Sequence, residues 1–433
     1  MDLIIKGGRV VDPANGLDGV ADVLILDGRI ARVERGLEPP EGTPAVEAAG
    51  KVVAPGFIDL HVHLREPGYE YKETVATGTR AAAAGGFTAV AAMANTLPVN
   101  DTRAVTDYSL AQARADGGVR VSPVGAVSKG LRGEELAELG ELAEAGCVAY
   151  SDDGQPVMDS ALLRRALEYA QAFAKPIISH AEDAHLAADG VMHEGFVSTD
   201  LGLRGIPAAA EEVMVARDIA LAELTGTPIH IAHVSTAGAV RLIRDAKGRG
   251  VPVTAEVTPH HLLLTDEAVR GFDPNTKMKP PLRGTRDVEA LREALAGGTL
   301  DAIATDHAPH ALADKEVEYD LAAFGIVGLE TAVPLGLTHL VREGVLDLPA
   351  FIARLTVGPA RILDLPLGTL SPGAPGDVTV LDLDRELVID PSRFYSRSRN
   401  TPFGGWRCVG APWMTIVGGR VVMWERVIKG GTR

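Results

Sequence analysis

A chain of 433 residues with 46% hydrophobic side chains is longer than most single cores, so the sequence predicts one large domain and a smaller one. The formal net charge is −16, and its acidic residues are spread along the chain, which argues against binding nucleic acid or an anionic membrane through bulk charge. The two cysteines lie far apart, no signal-peptide pattern opens the chain, and the long uncharged stretch 81–100 is broken by Gly85, Gly86 and Pro98, so we expect a cytoplasmic protein.

Both ends of the chain carry strand patterns joined by glycine-containing turns. Gly7-Gly8 and Asp27-Gly28 each lie between apolar runs near the N-terminus, and Gly418-Gly419 does the same near the C-terminus. Such dipeptides between apolar runs are strong hairpin signals. We therefore expect a small β-sandwich built from both termini, residues 1–54 and 366–433.

Apolar runs alternate with helical patterns between these ends. Eight candidate strands cover residues 57–62, 87–92, 119–125, 147–151, 176–179, 228–232, 252–257 and 301–305. Helical periodicity is clearest over residues 133–145, 159–173, 211–224 and 287–296. This alternation predicts a (β/α)8 TIM barrel over residues 55–365, with functional residues at the C-terminal ends of its strands.

Polar residues indeed follow these runs at the same relative position. From the first strand to the eighth they are His61, His63 and Arg65; Asn95; Asp152 and Asp153; His180; His233; Glu256, His260 and His261; and Asp306, His307 and His310. Histidines two residues apart on a strand point to the same side, so His61 and His63 can converge on one metal ion. The repeated position predicts a metal site at one end of the barrel.

Some of these residues have a structural interpretation instead. Neighbours alternate in direction, so we expect at most one of Asp152 and Asp153 to be a ligand, and we expect His307 to face away from Asp306. Packing beneath the site is favoured over a ligand role for His260 or His261. By the same alternation His230 should face the surrounding helices, and His185, His193 and His339 should be solvated without partners.

Four segments together resemble the cyclic amidohydrolases, and most closely the bacterial type I dihydroorotases. They are PGFIDLHVHLR (55–65), YSDDG (150–154), EVTPHH (256–261) and ATDHAPH (304–310), and the similarity covers essentially the whole chain, including residues 323–330. Hydantoinases, dihydropyrimidinases and allantoinases usually carry a lysine after the fourth strand, which is carboxylated and bridges two metals. Residues 149–154 contain no lysine, and Asp153 matches the aspartate of type I dihydroorotases.

The resemblance implies a zinc site and a reaction. One Zn²⁺ would bind His61, His63, Asp153 and Asp306, and a second would bind Asp153, His180 and His233, with one or two ions left open. Asp306 would act as base and then acid in the reversible opening of dihydroorotate to N-carbamoyl-L-aspartate, a step of pyrimidine biosynthesis. The implied substrate contacts are His63, Arg65, Asn95, His310, Phe324 and Gly325, with Lys279 where the family commonly has an asparagine.

Two alternatives stay open. One is another cyclic amide hydrolase, an allantoinase or a hydantoinase/dihydropyrimidinase, which the missing lysine disfavours. The other is an inactive scaffold for aspartate transcarbamoylase, which should have lost ligands that are all present here. The resemblance also implies a homodimer, and an active partnership with aspartate transcarbamoylase is a further expectation.

Overall fold

The N-terminal segment supplies the first five strands of a sheet. In the computed structural model, which describes residues 1–116 and 118–429, they are β1 (Leu3–Asp12), β2 (Leu17–Leu26), β3 (Arg29–Glu34), β4 (Ala45–Glu47) and β5 (Val52–Pro55). The hairpin predicted at Asp27-Gly28 joins β2 to β3, and both residues take positive φ angles of 49° and 73°. The hairpin predicted at Gly7-Gly8 is wrong, because β1 continues through both glycines as a bulge against β2.

The middle of the chain forms a parallel barrel from the eight predicted strands. They are β6 (Phe57–Val62), β7 (Phe87–Ala92), β8 (Arg120–Gly125), β9 (Ala149–Tyr150) and β10 (Ile177–Ser179), then, after a separate pair β11 (Met192–His193) and β12 (Gly205–Ile206), β13 (Ile229–Ile231), β14 (Val253–Val257) and β15 (Ala302–Ile303). A parallel bridge between Val62 and His307 brings the two edges together, and the N–H of His63 donates to the carbonyl of His307 at 2.8 Å. The predicted barrel is therefore confirmed.

Helices connect the strands. They are α1 (Val75–Ala84), α2 (Arg103–Asp116), α3 (Leu139–Ala145), α4 (Ser160–Ala170), α5 (Ala184–Ala187), α6 (Phe196–Leu201), α7 (Ala209–Thr225), α8 (Ala237–Gly248), α9 (Pro259–Leu263), α10 (Thr285–Ala296), α11 (Leu312–Lys315), α12 (Ala332–Gly336), α13 (Leu348–Leu355) and α14 (Val357–Ile362). Of the helix predicted over 133–145, only the part that is α3 forms. Gly133 has a φ of 67°, which an α-helix does not allow, so the helix cannot begin there. Within the described ranges, none of the helices has the length and apolar character needed to cross a bilayer.

The C-terminal strands complete the sheet that β1 to β5 begin. They are β16 (Val378–Val388), β17 (Arg407–Val417), β18 (Arg420–Trp424) and β19 (Val427–Ile428), and the order is β19-β18-β17-β16-β5-β1-β2-β3 with β4 beside β1. Strands β5 and β16 are antiparallel, with Val53 opposite Val380. Both belong to one apolar core, to which both termini contribute. The expectation that both termini build one β structure is thus confirmed as a single mixed sheet, and the hairpin at Gly418-Gly419 is confirmed as well.

Candidate metal centre and active site

Six buried side chains from the C-terminal ends of five barrel strands meet in one place. They are His61 near the end of β6 and His63 just after that strand, Asp153 after β9, His180 after β10, His233 after β13 and Asp306 after β15. The Nε2 atom of His61 lies 3.3 Å from Oδ1 of Asp153, and Nε2 of His63 lies 3.0 Å from Oδ1 of Asp306. On the other side, Nδ1 of His180 is 2.9 Å from Nε2 of His233. The structure brings together all six residues that the sequence predicted.

The chemistry of this cluster fits a metal ion. Two groups, His61–Asp153–His233 and His61–His63–Asp306, each have ligand atoms within 4.8 Å of one another. Nε2 of His61, Oδ1 of Asp153 and Nδ1 of His233 are buried without a hydrogen-bond partner. Buried polar atoms are rarely left unpaired. Imidazole nitrogen and carboxylate oxygen are ligands that divalent transition metals such as zinc accept, so these residues could hold one or two such ions.

Two further side chains orient the histidines of the first strand. Nδ1 of His61 donates to Oε1 of Glu256 at 2.7 Å, and Nδ1 of His63 donates to Oδ1 of Asn95 at 2.8 Å. Because Nδ1 is the donor in both rings, each Nε2 lone pair is directed into the cluster. Although burial opposes its charge, His61 and His230 lower the pKa of Glu256 to about 2, so it is a carboxylate.

His230 belongs to this supporting layer, which corrects the prediction that it faces the helices. Its Nε2 lies 3.1 Å from Oε2 of Glu256, and its Nδ1 lies 2.8 Å from the hydroxyl of Thr254. The prediction extended strand alternation from His230 to His233. Strand β13 ends at Ile231, however, and the backbone of His233 has a φ of 33°, so the alternation does not reach that far.

Positive φ angles recur among the predicted site residues. Besides His233, Arg65 has a φ of 62° and Asp306 a φ of 47°. Non-glycine residues rarely adopt this conformation, and it concentrates at functional sites where the surroundings hold it in place. The backbone of each of these residues turns just after a strand. Strand periodicity therefore does not predict the direction of their side chains.

The two adjacent aspartates after β9 separate as predicted. Asp152 accepts hydrogen bonds from the N–H groups of Val127 and Ser128 at 2.8 and 3.0 Å and from the Ser128 hydroxyl. Burial raises the pKa of Asp152 to about 6. Asp152 therefore holds the segment after β8, and Asp153 alone enters the cluster.

Two histidines of the strand ends pack beside the centre. His307 lies 3.3 Å from the Glu73 carboxylate and accepts from the N–H of Gly328 at 3.2 Å, as expected of a structural residue. His261 contacts the Thr258 hydroxyl at 2.7 Å and the Pro280 carbonyl at 3.0 Å, which agrees with the packing role favoured for one of His260 and His261.

Two of the histidines expected to be solvated have partners instead. His339 is 2.8 Å from Glu343, one turn further along the chain, and packs edge-on against Trp406. His193 is 3.2 Å from the buried guanidinium of Arg283. Only His185 is exposed as predicted.

Several predicted substrate contacts are held by hydrogen bonds to neighbouring backbone groups. Nε of Arg65 donates to the carbonyl of Pro309 at 3.2 Å, and Nε2 of His310 donates to the carbonyl of Phe324 at 2.8 Å. The N–H of Gly325 is bonded to the carbonyl of Lys277 at 2.9 Å. A Cβ at Gly325 would lie 2.6 Å from that of Ala308, and φ there is 121°, so a glycine is required.

Lys279 lies beside Phe324 and has a partner that sequence analysis missed. Its Nζ is 2.7 Å from Oε1 of Glu182 and 5.1 Å from the ring centroid of Phe324. Glu182 follows the cluster residue His180 by two positions, and its N–H donates to the His180 carbonyl at 3.0 Å. The two-residue spacing gives no signal here, because β10 ends at Ser179 and strand alternation does not extend to Glu182.

Comparisons with known proteins agree with this arrangement. The family model described as "Dihydro-orotase-like" matches residues 50–239, and the model of the amidohydrolase family matches residues 226–423. The dihydroorotase of Anaeromyxobacter dehalogenans (strain 2CP-1 / ATCC BAA-258) is 63% identical over 422 residues, which cover 97% of each chain. The dihydroorotase of Pelotomaculum thermopropionicum is 60% identical over 429 residues, covering 99% of this chain and all of its relative.

Solved structures share the same architecture. The L-hydantoinase (dihydropyrimidinase) from Arthrobacter aurescens superposes with a TM-score of 0.89 at 27% identity, covering 99% of this chain and 98% of the other. The D-hydantoinase (dihydropyrimidinase) from a Thermus species has a TM-score of 0.87 at 27% identity, with coverages of 99% and 96%.

Proposed function

This chain belongs to the dihydroorotase family of amidohydrolases, and we propose on that basis that it interconverts N-carbamoyl-L-aspartate and dihydroorotate in pyrimidine biosynthesis. The observation that carries the proposal is the convergence of four histidines and two aspartates at the C-terminal end of the barrel. The hydantoinase alternative has weaker support, because the two hydantoinase structures described above are 27% identical to this chain whereas the dihydroorotase of Anaeromyxobacter dehalogenans is 63% identical.

We propose Zn²⁺ as the metal, with one or two ions per chain. His61, His63 and Asp306 would hold one ion, His180 and His233 a second, and Asp153 would contact both. The unpaired Nε2 of His61 and the unpaired Oδ1 of Asp153, which face each other in the cluster, support this assignment. When bound, zinc polarises an amide carbonyl and acidifies water, to a pKa of about 7 in other enzymes.

Asp306 would move the proton. Burial opposes its charge, but His61 and His63 hold the pKa of Asp306 well below its usual range, so it is a carboxylate. In ring opening it would take a proton from the attacking water as the water oxygen bonds to the ring carbonyl carbon. It would then give that proton to the ring nitrogen as the carbon–nitrogen bond breaks. In ring closure Asp306 would remove a proton from the carbamoyl nitrogen and return it to the departing water.

Arg65 would bind the substrate carboxylate. A guanidinium offers two parallel N–H donors to one carboxylate, which fixes the ring as well as attracting it. His310 and the backbone of Phe324 and Gly325 adjoin the same side of the centre. His63 and Asn95 would also face the substrate, with Asn95 supporting His63 through their 2.8 Å contact.

A substrate panel tests the proposed function. Purified protein should turn over dihydroorotate at least about 100-fold faster, by kcat/KM, than dihydrouracil, hydantoin or allantoin, because only dihydroorotate carries the carboxylate that Arg65 pairs with; the factor corresponds to about 2.7 kcal/mol. Metal content is measured on the same sample, and one to two zinc ions per chain are expected. Faster turnover of hydantoin or allantoin would contradict the proposal, and no turnover of any ring would favour the scaffold alternative.

The assembly, the location and the domain boundaries of the protein are also part of the proposal. We propose a homodimer in the cytoplasm, with an active partnership with aspartate transcarbamoylase as a further prediction. Sedimentation of the purified chain, alone and with that transferase, tests both assemblies. The domain boundaries at residues 54/55 and 365/366 also stay predictions, which limited proteolysis can test.

A further inference from the structure

Lys279 is a cation held in place near the centre by Glu182 and Phe324. Its side chain is 28% exposed, whereas that of its partner Glu182, two residues after His180, is 9% exposed, so the ammonium is the more accessible member of the pair. An ammonium has three donors, and the 2.7 Å contact with Glu182 uses one of them. Two donors are left for a ligand.

The ring of Phe324 also holds this ammonium in place. The Nζ atoms of Lys279 and Lys277 lie 5.1 and 4.5 Å from the ring centroid, within the range of a cation–π interaction. The carbonyl of the same phenylalanine accepts from His310. Lys279 thus contacts the ring of the residue whose carbonyl binds His310.

We propose that Lys279, positioned by Glu182 and Phe324, is a second cation that binds the substrate carboxylate and makes the site selective for carboxylate-bearing rings. This inference rests on the proposed function. A surface lysine searches many rotamers, and that entropy opposes ligand binding. The Glu182 carboxylate lowers this cost by restricting the ammonium before the substrate arrives. Glu182 is a positioning residue, since it acts through Lys279.

Selectivity between two rings gives a direct readout. Dihydroorotate and dihydrouracil share the ring and differ by one carboxylate, so the ratio of their kcat/KM values measures recognition of that group. A hydrogen bond to a charged group contributes enough for Lys279→Gln to lower this ratio about 10- to 100-fold, through KM for dihydroorotate. Turnover of dihydrouracil should change little. A general loss of structure would instead lower the turnover of both rings.

Glu182→Gln tests the positioning role. It should lower the ratio by a smaller factor in the parent, and it should cause no further loss in the Lys279→Gln background, because the two residues act as one unit. Lys279→Arg retains a cation and should keep most of the selectivity. A matched control is Lys247→Gln, which removes a lysine paired with Asp301 at 2.6 Å at the opposite end of the barrel and should leave the ratio unchanged.

These experiments distinguish a failure of this inference from a failure of the proposed function. A parent protein without dihydroorotate turnover would overturn both. An active parent whose ratio is unaffected by Lys279→Gln would overturn the role of Lys279 alone. Tighter binding of dihydroorotate by Glu182→Gln would overturn the positioning role, because Glu182 would then be competing with the substrate for the ammonium.

Discussion

Glu256→Gln should weaken metal binding while preserving the shape of the barrel. The carboxylate is fully buried and accepts from Nδ1 of His61 at 2.7 Å, from Nε2 of His230 at 3.1 Å and from the N–H of His233 at 3.2 Å. A glutamine has one oxygen and one NH₂ group, so it can accept from only one of the two imidazoles. The N–H of the other ring then faces the NH₂ group of the glutamine, so that ring must turn or change its tautomer.

The magnitude follows from the lost contact. One hydrogen bond to a charged group is worth about 1.5–3 kcal/mol, and about 1.4 kcal/mol corresponds to a tenfold change in an equilibrium constant. The dissociation constant for zinc should therefore rise about 10- to 150-fold, which overlaps the roughly 10- to 100-fold effect of residues that orient metal ligands. The effect is largest if His61 loses its acceptor, since His61 belongs to both candidate ligand groups.

A chelator competition measures this change. Parent and variant are titrated with zinc against a chromophoric chelator, and the unfolding temperature of the metal-free proteins is compared to exclude a general loss of structure. The matched control is Glu223→Gln, since Glu223 is 53% exposed and pairs with Arg249 at 3.4 Å on the surface. A zinc affinity of Glu256→Gln within about threefold of the parent, roughly 0.6 kcal/mol, would refute the orienting role.

Three other substitutions have defined outcomes. Asp306→Asn should retain some metal but lose turnover by at least about 100-fold, because the amide cannot accept the proton; unchanged kcat would remove Asp306 from the mechanism. Phe351→Ala, which empties a buried site against Gly336, should lower the free energy of unfolding by about 3–5 kcal/mol in urea titrations. Burial raises the pKa of Glu330 from 4.5 to about 7, so its protonated form stabilises the fold below pH 4.5 and that contribution is lost as the pH rises towards 7. Glu330→Gln should therefore raise the unfolding temperature relative to the parent at pH 8 but not at pH 4, and an equal change at both would contradict the assignment.

The barrel could be predicted from sequence because its strands are short apolar runs flanked by polar and turn residues. The sequence predicts a strand over residues 301–305, and the structure has the strand Ala302–Ile303 there. The position is correct, and the strand is shorter than predicted at both ends. The convergence of His180 and Asp306 then followed from the rule that strand ends of a barrel share one face. No knowledge of side-chain contacts was needed for that step.

The errors arise where the backbone leaves regular geometry. Gly7-Gly8 carries a turn signal, but the same permissive backbone also allows a bulge, and pairing with β2 decides between the two. The orientation of His230 relative to His233 depends on the φ of 33° at the latter. The pairing of Lys279 with Glu182 joins residues 97 positions apart, for which one sequence offers no pattern.

The pairing of β5 with β16 has a consequence for synthesis. Val53 meets Val380, and at about 5–20 residues per second the ribosome needs roughly 15–65 s to make the chain between them. During that interval the edge of β5 that later pairs with β16 has no partner, while the barrel downstream of it is still being made. The nascent chain thus passes through a stage in which a strand edge can recruit other chains, and a premature stop before β16 would make that stage permanent.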